Sequence, residues 1–371
     1  MRKLTKLLTG TAAAAISLTF VASGIASASP VVNDPPKGVT PKATDVVGVG
    51  SDTIEFLLDQ LSVDYNKSHA TPHLYSWDAT NPTTGAVGDK IVTKAGCAKI
   101  ARPDGSSAGI AALDNNTLDG KTGHFCIDFA RSSRGRAATD PKFGPGGISF
   151  VALAKDAVTY ATRDKAHGGT DAPANLSTAQ LTNIYLCKVT NWKQVGGKNA
   201  AIKPFLPQTG SGTRAFFLKA INVTTPGTCV NSSVQENEGT NPALNSGNVI
   251  VPFSTAKFIA EVFHSAKCGK KPTGTQNMFG CDTHGVLGLN NINGTKPTVG
   301  TGVNTTPNPA FTPAFVRFVY DVVRWSNTGS HIPPYEQGFF GRGGYFCSNP
   351  TAEKDIRSYG FLITPLCGVA S

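Results

Sequence analysis

Long apolar stretches are scarce in this sequence of 371 residues. After residue 28, no run approaches the roughly 20 apolar residues that a membrane-spanning helix requires. Charged residues are also few, at 16%, whereas 40% of the residues are hydrophobic. A chain of this length and composition can bury more than one small core, so the sequence predicts a soluble globular protein with two lobes.

Patterns typical of metal, redox and nucleic-acid sites are missing as well. The sequence has no C-x-x-C pair and its seven histidines are dispersed, which argues against a zinc site or a thioredoxin-like centre. Its lysines and arginines form no basic stripe interleaved with aromatic residues, which argues against nucleic-acid binding. We therefore expect no metal, no cofactor and no nucleic-acid partner.

Residues 1–28 have the pattern of a signal peptide. A basic start precedes an apolar run over residues 7–21, and the small-residue sequence Ala-Ser-Ala occupies residues 26–28. No cysteine stands at this junction, so a lipoprotein anchor has no attachment point. We predict a secreted, extracellular protein without a membrane anchor, which leaves cell-wall association open. Residues 29–44, rich in proline, lysine and threonine, are predicted to form a disordered leader.

The eight cysteines of an exported chain predict disulfide bonds. Eight cysteines allow about 100 connectivities, and spacing alone does not choose among them. Pairing of neighbours in the sequence gives Cys97 with Cys126, Cys187 with Cys229, Cys268 with Cys281, and Cys347 with Cys367.

Hydrophobic segments alternate between strand and helix patterns along the chain. Residues 45–49 resemble a strand, and apolar residues at helical spacing follow a glycine turn over residues 54–61. A glycine turn at 105–109 opens a second apolar run, and residues 125–129 and 148–161 again resemble strands. This order predicts an α/β fold, in which ligands lie at the carboxyl ends of the strands.

The segment 176–218 contains the most informative local patterns. Ser177 and Gln180 have the spacing of a capping box at the start of a helix. The loop Gly-Ser-Gly-Thr-Arg at 210–214 leads into a second helical run, so its N–H groups and hydroxyls can converge on one anion. Loss of three leader cations lowers the formal charge from +10 to +7, which still favours an anionic partner. Further on, apolar residues between Phe315 and Val322 predict an amphipathic helix that ends near residues 327–329.

Five separated motifs together carry a family resemblance. The segments LSTAQLTNIYLCKVTNWKQVGG and PQTGSGTRAFF together form one motif, and GVGSDT, DGSSAGIAAL, DFARSSR and GVLGL are the other four, in the order found in one family. Over residues 45–365 the chain resembles the phosphate-binding proteins of ABC transporters, the PstS family of the type 2 periplasmic-binding-protein fold. The resemblance implies two discontinuous lobes, 45–150 plus 296–371 and 151–295, joined by crossing strands near residues 149–161 and 290–301.

The resemblance also implies a site and a function. The protein would close over a dehydrated oxyanion, phosphate or a relative, as a monomeric, non-enzymatic solute-binding protein that delivers it to ABC transporter permease subunits. The residues placed at the anion by these motifs are Ser51, Asp52, Thr53, Ser106, Ser107, Arg131, Ser132, Ser133, Arg134, Gly210, Ser211, Gly212, Thr213 and Arg214.

The chain departs from the family pattern at two positions. Family members usually have an aspartate that accepts the proton of hydrogen phosphate where this chain has Ser133, so discrimination from sulfate stays open. Asp52 would accept that proton instead. Alternatively, Asp52 would be the N-cap of a helix and Glu55, three residues later, would complete a capping box. An arginine that often precedes the Gly-Ser-Gly-Thr loop is replaced by residues 206–208, so Arg131, Arg134 or Arg214 would supply the cation.

Two other interpretations stay open. The same fold would serve a secreted scavenger or a cell-wall-associated interaction protein. Ser254 and Lys257 fit the S-x-x-K pattern of serine β-lactamases, and residues 121–123 fit K-T-G, but in reversed order and without Ser-Asp-Asn between them. A serine hydrolase is therefore the weakest alternative.

Overall fold

The computed structural model describes residues 34–36, 38–115 and 117–371. The predicted signal peptide and residues 29–33 of the predicted leader lie outside these ranges. Within the described part of the leader, Asp34 pairs with the Arg102 guanidinium at 2.8 Å and accepts a hydrogen bond from the Asp78 N–H at 3.0 Å. This part of the leader therefore contacts the domain, and the predicted disorder of residues 29–44 as a whole stays a prediction.

Strands and helices alternate as the sequence predicts, and the α/β class is confirmed. The strands, in chain order, are β1 Val46–Gly50, β2 Leu74–Ser76, β3 Lys90–Ile91, β4 Ile100–Ala101, β5 Phe129–Ser132, β6 Ile148–Arg163, β7 Asn175–Leu176, β8 Lys203–Pro207, β9 Asn231–Val234, β10 Val249–Ser254, β11 Leu287–Leu289, β12 Asn291–Ile292, β13 Thr298–Val299, β14 Thr306–Pro307 and β15 Val316–Arg324. The helices are α1 Glu55–Ser68, α2 Ser106–Asp114, α3 Thr178–Tyr185, α4 Gly212–Ala220, α5 Thr255–Ile259, α6 Gln337–Phe340, α7 Tyr345–Ser348 and α8 Pro350–Ser358.

The main sheet has the strand order β2-β1-β5-β15-β6-β10-β8-β9, and β11 also pairs with β6. β1 is parallel to both β2 and β5, and β8 is parallel to both β9 and β10. β15 lies antiparallel between β5 and β6. The parallel groups at the two ends are therefore joined through the long antiparallel strands β6 and β15.

β6 connects the hydrophobic clusters of the described residues. Phe150 and Leu153, in its first half, belong to the clusters that contain α1, α2 and α8. Tyr160, in its second half, packs in the cluster that contains α3 and α4, and Ala161 packs against residues of β8 and β10. The predicted crossing near residues 149–161 thus coincides with one strand that serves both groups, and the predicted lobe boundaries at 150 and 296 stay a prediction.

The predicted helix after Phe315 is wrong, because this segment forms strand β15. Burial alternates along its first half, but two of the inward residues, Arg317 and Asp321, are charged. Charged residues at core positions hid the period of two that marks a strand. The second long strand at the centre of the sheet is therefore β15, whereas residues 290–301 contain only the short strands β12 and β13.

Local signals in the sequence are otherwise reproduced. The capping box of α3 is present, with the Ser177 side chain accepting from the Gln180 N–H and the Gln180 side chain accepting from the Ser177 N–H. All eight cysteines are bonded, in the same four neighbouring pairs that the sequence order suggests. No helix in the described ranges is long and apolar enough to cross a membrane.

Candidate functional site

Five hydroxyl-bearing residues from four loops meet between the two parallel groups of strands. Ser51 and Thr53 follow β1, and Ser133 follows β5, which is parallel to β1. Ser106 is the first residue of α2, and Thr213 lies in the first turn of α4. We call these five side chains the donor cluster, and each residue is at most 3% exposed.

The hydroxyls of the donor cluster contact one another directly. Ser51 Oγ donates to Ser133 Oγ at 3.0 Å, and the Ser133 N–H donates to Ser106 Oγ at 3.0 Å. Thr53 Oγ1 and Thr213 Oγ1 lie 3.3 Å apart. The predicted anion loops are therefore brought together in the structure.

Glycines permit this close approach. Gly105 has a φ of +93°, and a Cβ there would overlap the carbonyl of Gly210. The Ser107 N–H donates to the same carbonyl at 3.2 Å, so the loops before α2 and α4 touch. A Cβ on Gly212 would overlap the hydroxyls of Ser106 and Ser133. Side chains at these positions would separate the loops.

A carboxylate that the sequence analysis did not identify lies against these donors. Glu236 Oε1 accepts hydrogen bonds from Thr53 Oγ1 at 2.7 Å, from the Thr213 N–H at 3.0 Å and from Ser133 Oγ at 3.2 Å. Glu236 comes two residues after β9, which is parallel to β8. The rule that ligand-binding groups follow the carboxyl ends of parallel strands was the available signal for it.

The cation at the cluster is Arg317 of β15, which the sequence analysis also missed. Its Nη2 donates to Thr213 Oγ1 at 2.9 Å and its Nη1 to the Ser133 carbonyl at 2.7 Å. The same guanidinium pairs with Asp156 at 2.7 Å, and both side chains are at most 2% exposed. Asp156 also accepts from Ser254 Oγ, so this ion pair is buried and hydrogen-bonded on both sides.

The three arginines that the sequence proposes lie elsewhere. Arg131 donates to the carbonyls of Ser51 and Gly50 and to Ser76 Oγ, and so fixes the backbone beneath the cluster. Arg134 pairs with Asp140 at 2.6 Å and also donates to Ser107 Oγ. Arg214 donates to the Pro207 carbonyl and to Ser232 Oγ. Their described hydrogen bonds go to groups outside the donor cluster.

Two serines predicted at the anion have local roles. Ser132 Oγ donates to the Arg134 carbonyl at 2.8 Å, which shapes the turn after β5. Ser211 is the N-cap of α4 and accepts from the Arg214 N–H at 3.0 Å.

The predicted capping role of Asp52 is wrong. Ser51 and Ile54 hold the N-cap positions, without side-chain cap bonds, and Glu55 accepts instead from the Ala79 N–H. Asp52 accepts from Asn237 Nδ2 at 3.1 Å and lies 3.5 Å from the Lys257 ammonium. Burial raises the pKa of Asp52 well above its usual value, Lys257 opposes this rise, and the nearby carboxylates of Glu55 and Glu236 add to it.

Two cavities of different character contain the side chains that contact the cluster, Arg317 in one and Glu236 in the other. A cavity of about 680 Å³ contains the cations Arg134, Arg136, Lys219 and Arg317 together with the aromatic rings of Phe216, Phe318 and Tyr320. A second cavity, of about 360 Å³, contains the acidic side chains of Asp52, Glu55, Asp78, Glu236 and Glu238 with the cation Lys257. We call them the basic cavity and the acidic cavity. No group of three His, Cys, Asp or Glu side chains within the described ranges is arranged to hold a metal ion.

Comparison with known proteins identifies the superfamily and similar folds. A family model described as a PBP superfamily domain matches residues 35–275, more than half of the chain. The fold is similar to that of an ABC-type phosphate transport receptor from Vibrio cholerae, at 17% identity and a TM-score of 0.54, over 86% of this chain and 100% of that one. It is also similar to a Clostridium perfringens protein assigned as a phosphate ABC transporter substrate-binding protein and solved with bound phosphate, at 15% identity and a TM-score of 0.54, over 86% and 99% of the two chains. At these identities the likeness is one of fold.

Proposed function

Because this chain belongs to the PBP superfamily, we propose that it is a solute-binding protein whose donor cluster holds phosphate or a related tetrahedral oxyanion. The two similar structures support the choice of phosphate, since one is a phosphate transport receptor and the other was solved with phosphate. The basic cavity beside the cluster offers an anion a favourable approach.

One observation carries this proposal. Two hydroxyls of the cluster and the backbone N–H of Thr213, from three loops, donate hydrogen bonds to a single carboxylate oxygen, that of Glu236. Hydrogen bonds to a charged group contribute about 1.5 to 3 kcal/mol each, so converging donors can offset the desolvation of an anion. α2 and α4 begin at the cluster, so their partial positive charges act in the same sense. A group that holds a carboxylate oxygen in this way suits an oxygen of phosphate.

We propose a binding function rather than catalysis at Ser254 and Lys257. Ser254 Oγ donates to Asp156 and accepts from the Lys257 N–H as the N-cap of α5. The Lys257 ammonium lies 3.5 Å from Asp52 and 3.6 Å from Glu55, where it offsets two buried carboxylates. Both side chains thus have structural partners that account for their burial. Hydrolysis of a β-lactam or a reporter ester that Ser254→Ala abolishes would contradict this reading.

The same proposal includes a location outside the cell and a role in transport. The four disulfides are typical of proteins in an oxidising compartment. In this role the protein acts outside the cytoplasmic membrane and delivers the anion to the permease subunits of an ABC transporter.

Calorimetric titration of the anion-stripped protein tests the function. We expect saturable one-to-one binding of phosphate and arsenate and none of chloride at equal ionic strength, and the same titration with sulfate measures how the site discriminates between the anions. Absence of binding for every oxyanion at millimolar concentration would overturn the proposal.

Neighbouring serines provide a matched pair of variants for the same titration. Ser133→Ala removes a hydroxyl of the donor cluster and should weaken phosphate binding about tenfold or more, since 1.4 kcal/mol corresponds to tenfold. Ser132→Ala removes a hydroxyl that bonds to the Arg134 carbonyl and should change the Kd less than about threefold. Equal effects of the two changes would place the anion elsewhere.

A further inference from the structure

We propose that Glu236 is a built-in competitor of the ligand: its carboxylate occupies the donor cluster, and an external oxyanion binds only when that carboxylate leaves. This inference rests on the proposed function and adds the residue that sets the affinity. It predicts that removal of the Glu236 charge tightens oxyanion binding.

The hydrogen bonds of Glu236 are those of a ligand. Its Oε1 accepts from a hydroxyl after β1, a hydroxyl after β5 and the backbone N–H of Thr213 at the start of α4. Two of the three bonds join Glu236 to residues more than a hundred positions away in the sequence, Thr53 and Ser133. A side chain that only closed its own loop would bond locally, whereas this one connects three loops.

The other half of the carboxylate has no such support. Within the described ranges, Glu236 Oε2 is buried without a hydrogen-bond partner, and the residue is 2% exposed. A buried, unsatisfied acceptor costs about 1 to 3 kcal/mol, and more when it is charged. One carboxylate oxygen is therefore stabilised by hydrogen bonds, whereas burial of the other is unfavourable. This lowers the free-energy cost of moving the Glu236 side chain out of the cluster.

The donors of the cluster already have partners, which include Glu236. Ser133 Oγ lies within hydrogen-bonding distance of Ser51, Ser106 and Glu236, and Gly212 packs against the same hydroxyls. A tetrahedral anion must contact these donors in place of their present partners. Repulsion adds to this exclusion, because the charge of Glu236 already contributes to the raised pKa values of Asp52 and Asp104.

A place for the displaced side chain exists. Glu236 also lines the acidic cavity of about 360 Å³, which contains the Lys257 ammonium. Its backbone N–H is fixed by Gln208 Oε1 at 2.9 Å, so rotation of the side chain does not require the loop to move. In the proposed exchange, the carboxylate leaves the donor cluster for this cavity, which also contains the positive charge of Lys257.

Phosphate titration of Glu236→Ala, Glu236→Gln and a control tests the inference. We expect Glu236→Ala to bind phosphate at least about tenfold more tightly than the wild type, with Glu236→Gln also tighter because the amide is neutral. Glu238→Gln is the control, since Glu238 lines the same cavity but accepts from Thr240 rather than from the donor cluster. Glu238→Gln should change the Kd less than about threefold. This result would distinguish removal of a carboxylate from the donor cluster from a general loss of negative charge.

A second readout does not depend on phosphate. If Glu236 acts as an internal anion, sodium formate should raise the Tm of Glu236→Ala by supplying a carboxylate to the vacated donors. The wild type should show no such rise, and sodium chloride at equal ionic strength should not replace formate in either protein.

The two proposals fail in different ways. Equal or weaker phosphate binding by Glu236→Ala, with intact binding by the wild type, overturns the competition and leaves the proposed function standing. No phosphate binding by the wild type, Glu236→Ala and Glu236→Gln overturns the proposed function and, with it, the competition.

Discussion

The basic and acidic cavities are linked to the same donor cluster, one through Arg317 and the other through Glu236, but their buried charges are compensated differently. In the basic cavity, Arg134 and Arg317 each have their own carboxylate, Asp140 and Asp156. In the acidic cavity, Lys257 is shared between Asp52 and Glu55, and acidic side chains outnumber it. The two ion-paired arginines of the basic cavity thus have one carboxylate each, whereas the carboxylates of the acidic cavity outnumber their cation.

This contrast bears on how an anion is bound. Arg317 connects the basic cavity to Thr213, while Glu236 connects the acidic cavity to the same residue. Raised pKa values, caused first by burial, are found for Asp52, Glu55 and Asp78 in the acidic cavity. We expect the oxyanion to approach through the basic cavity and to push the charge of Glu236 toward the acidic one.

The largest expected effect comes from breaking the ion pair behind the cluster. Arg317→Met leaves Asp156 buried without its cation and should lower the free energy of unfolding by about 3 to 5 kcal/mol, measured by urea denaturation. The double variant with Asp156→Asn should recover part of this loss, because the unpaired charge is gone. A single variant as stable as the wild type would show that the pair contributes nothing.

Removal of the Lys257 charge should lower the free energy of unfolding somewhat less than the Arg317 change does, and the loss should depend on pH. Lys257→Met leaves Asp52 and Glu55 without a cation, and we expect a loss of about 3 kcal/mol at pH 8. The pKa values of both carboxyls are raised in the folded state, so their contribution to stability falls as the pH rises above their unfolded values. The loss should therefore be smaller at pH 5 than at pH 8, because protonation of the carboxyls removes the unpaired charge as the pH falls, and a larger loss at pH 5 would contradict this assignment.

A smaller effect on stability is expected at Asp104, whose charge is repelled by Asp52 and Glu236 of the acidic cavity. Burial, with contributions from Asp52 and Glu236, raises its pKa to about 6, while a hydrogen bond from Gln208 opposes the rise. Between about pH 4 and 6 the folded state binds the proton that the unfolded state has lost, so stability declines as the pH rises through this range. Asp104→Asn should remove the decline and stabilise the protein by about 1 kcal/mol at pH 8 relative to pH 5, after allowance for its partial exposure. Urea denaturation at the two pH values measures it, and an unchanged pH dependence would count against the shift.

The smallest effect concerns the route of approach. Lys219→Glu reverses a charge in the basic cavity and should slow phosphate association about threefold at low salt, with little effect at high salt. Lys203→Glu, at the exposed start of β8, is the control of equal charge change. Stopped-flow rates that respond equally to both substitutions would remove the distinction between the cavities.

Much of the donor cluster follows from local chemistry in the sequence. Ser51, Ser106, Ser133 and Thr213 stand next to glycine turns, strand ends or helix starts, and such signals are read within a few residues. The disulfide bonds, which join cysteines that are neighbours in the sequence, also agree with the order of the chain. The misassigned β15 shows the limit, because its pattern of burial was masked by Arg317 and Asp321, which are inward-facing yet charged.

By itself, the sequence determined the α/β alternation, the loops that carry the hydroxyls and the glycines that let those loops touch. Only the tertiary structure decided that Arg317 supplies the cation, that Arg131 supports the backbone and that Glu236 lies on the donors. The physical reason is that hydroxyl donors and turns are specified by near neighbours, whereas the partner of a buried charge is chosen by strand register across the sheet. Glu236 meets Thr53 across 183 positions of sequence, and no local pattern encodes that contact.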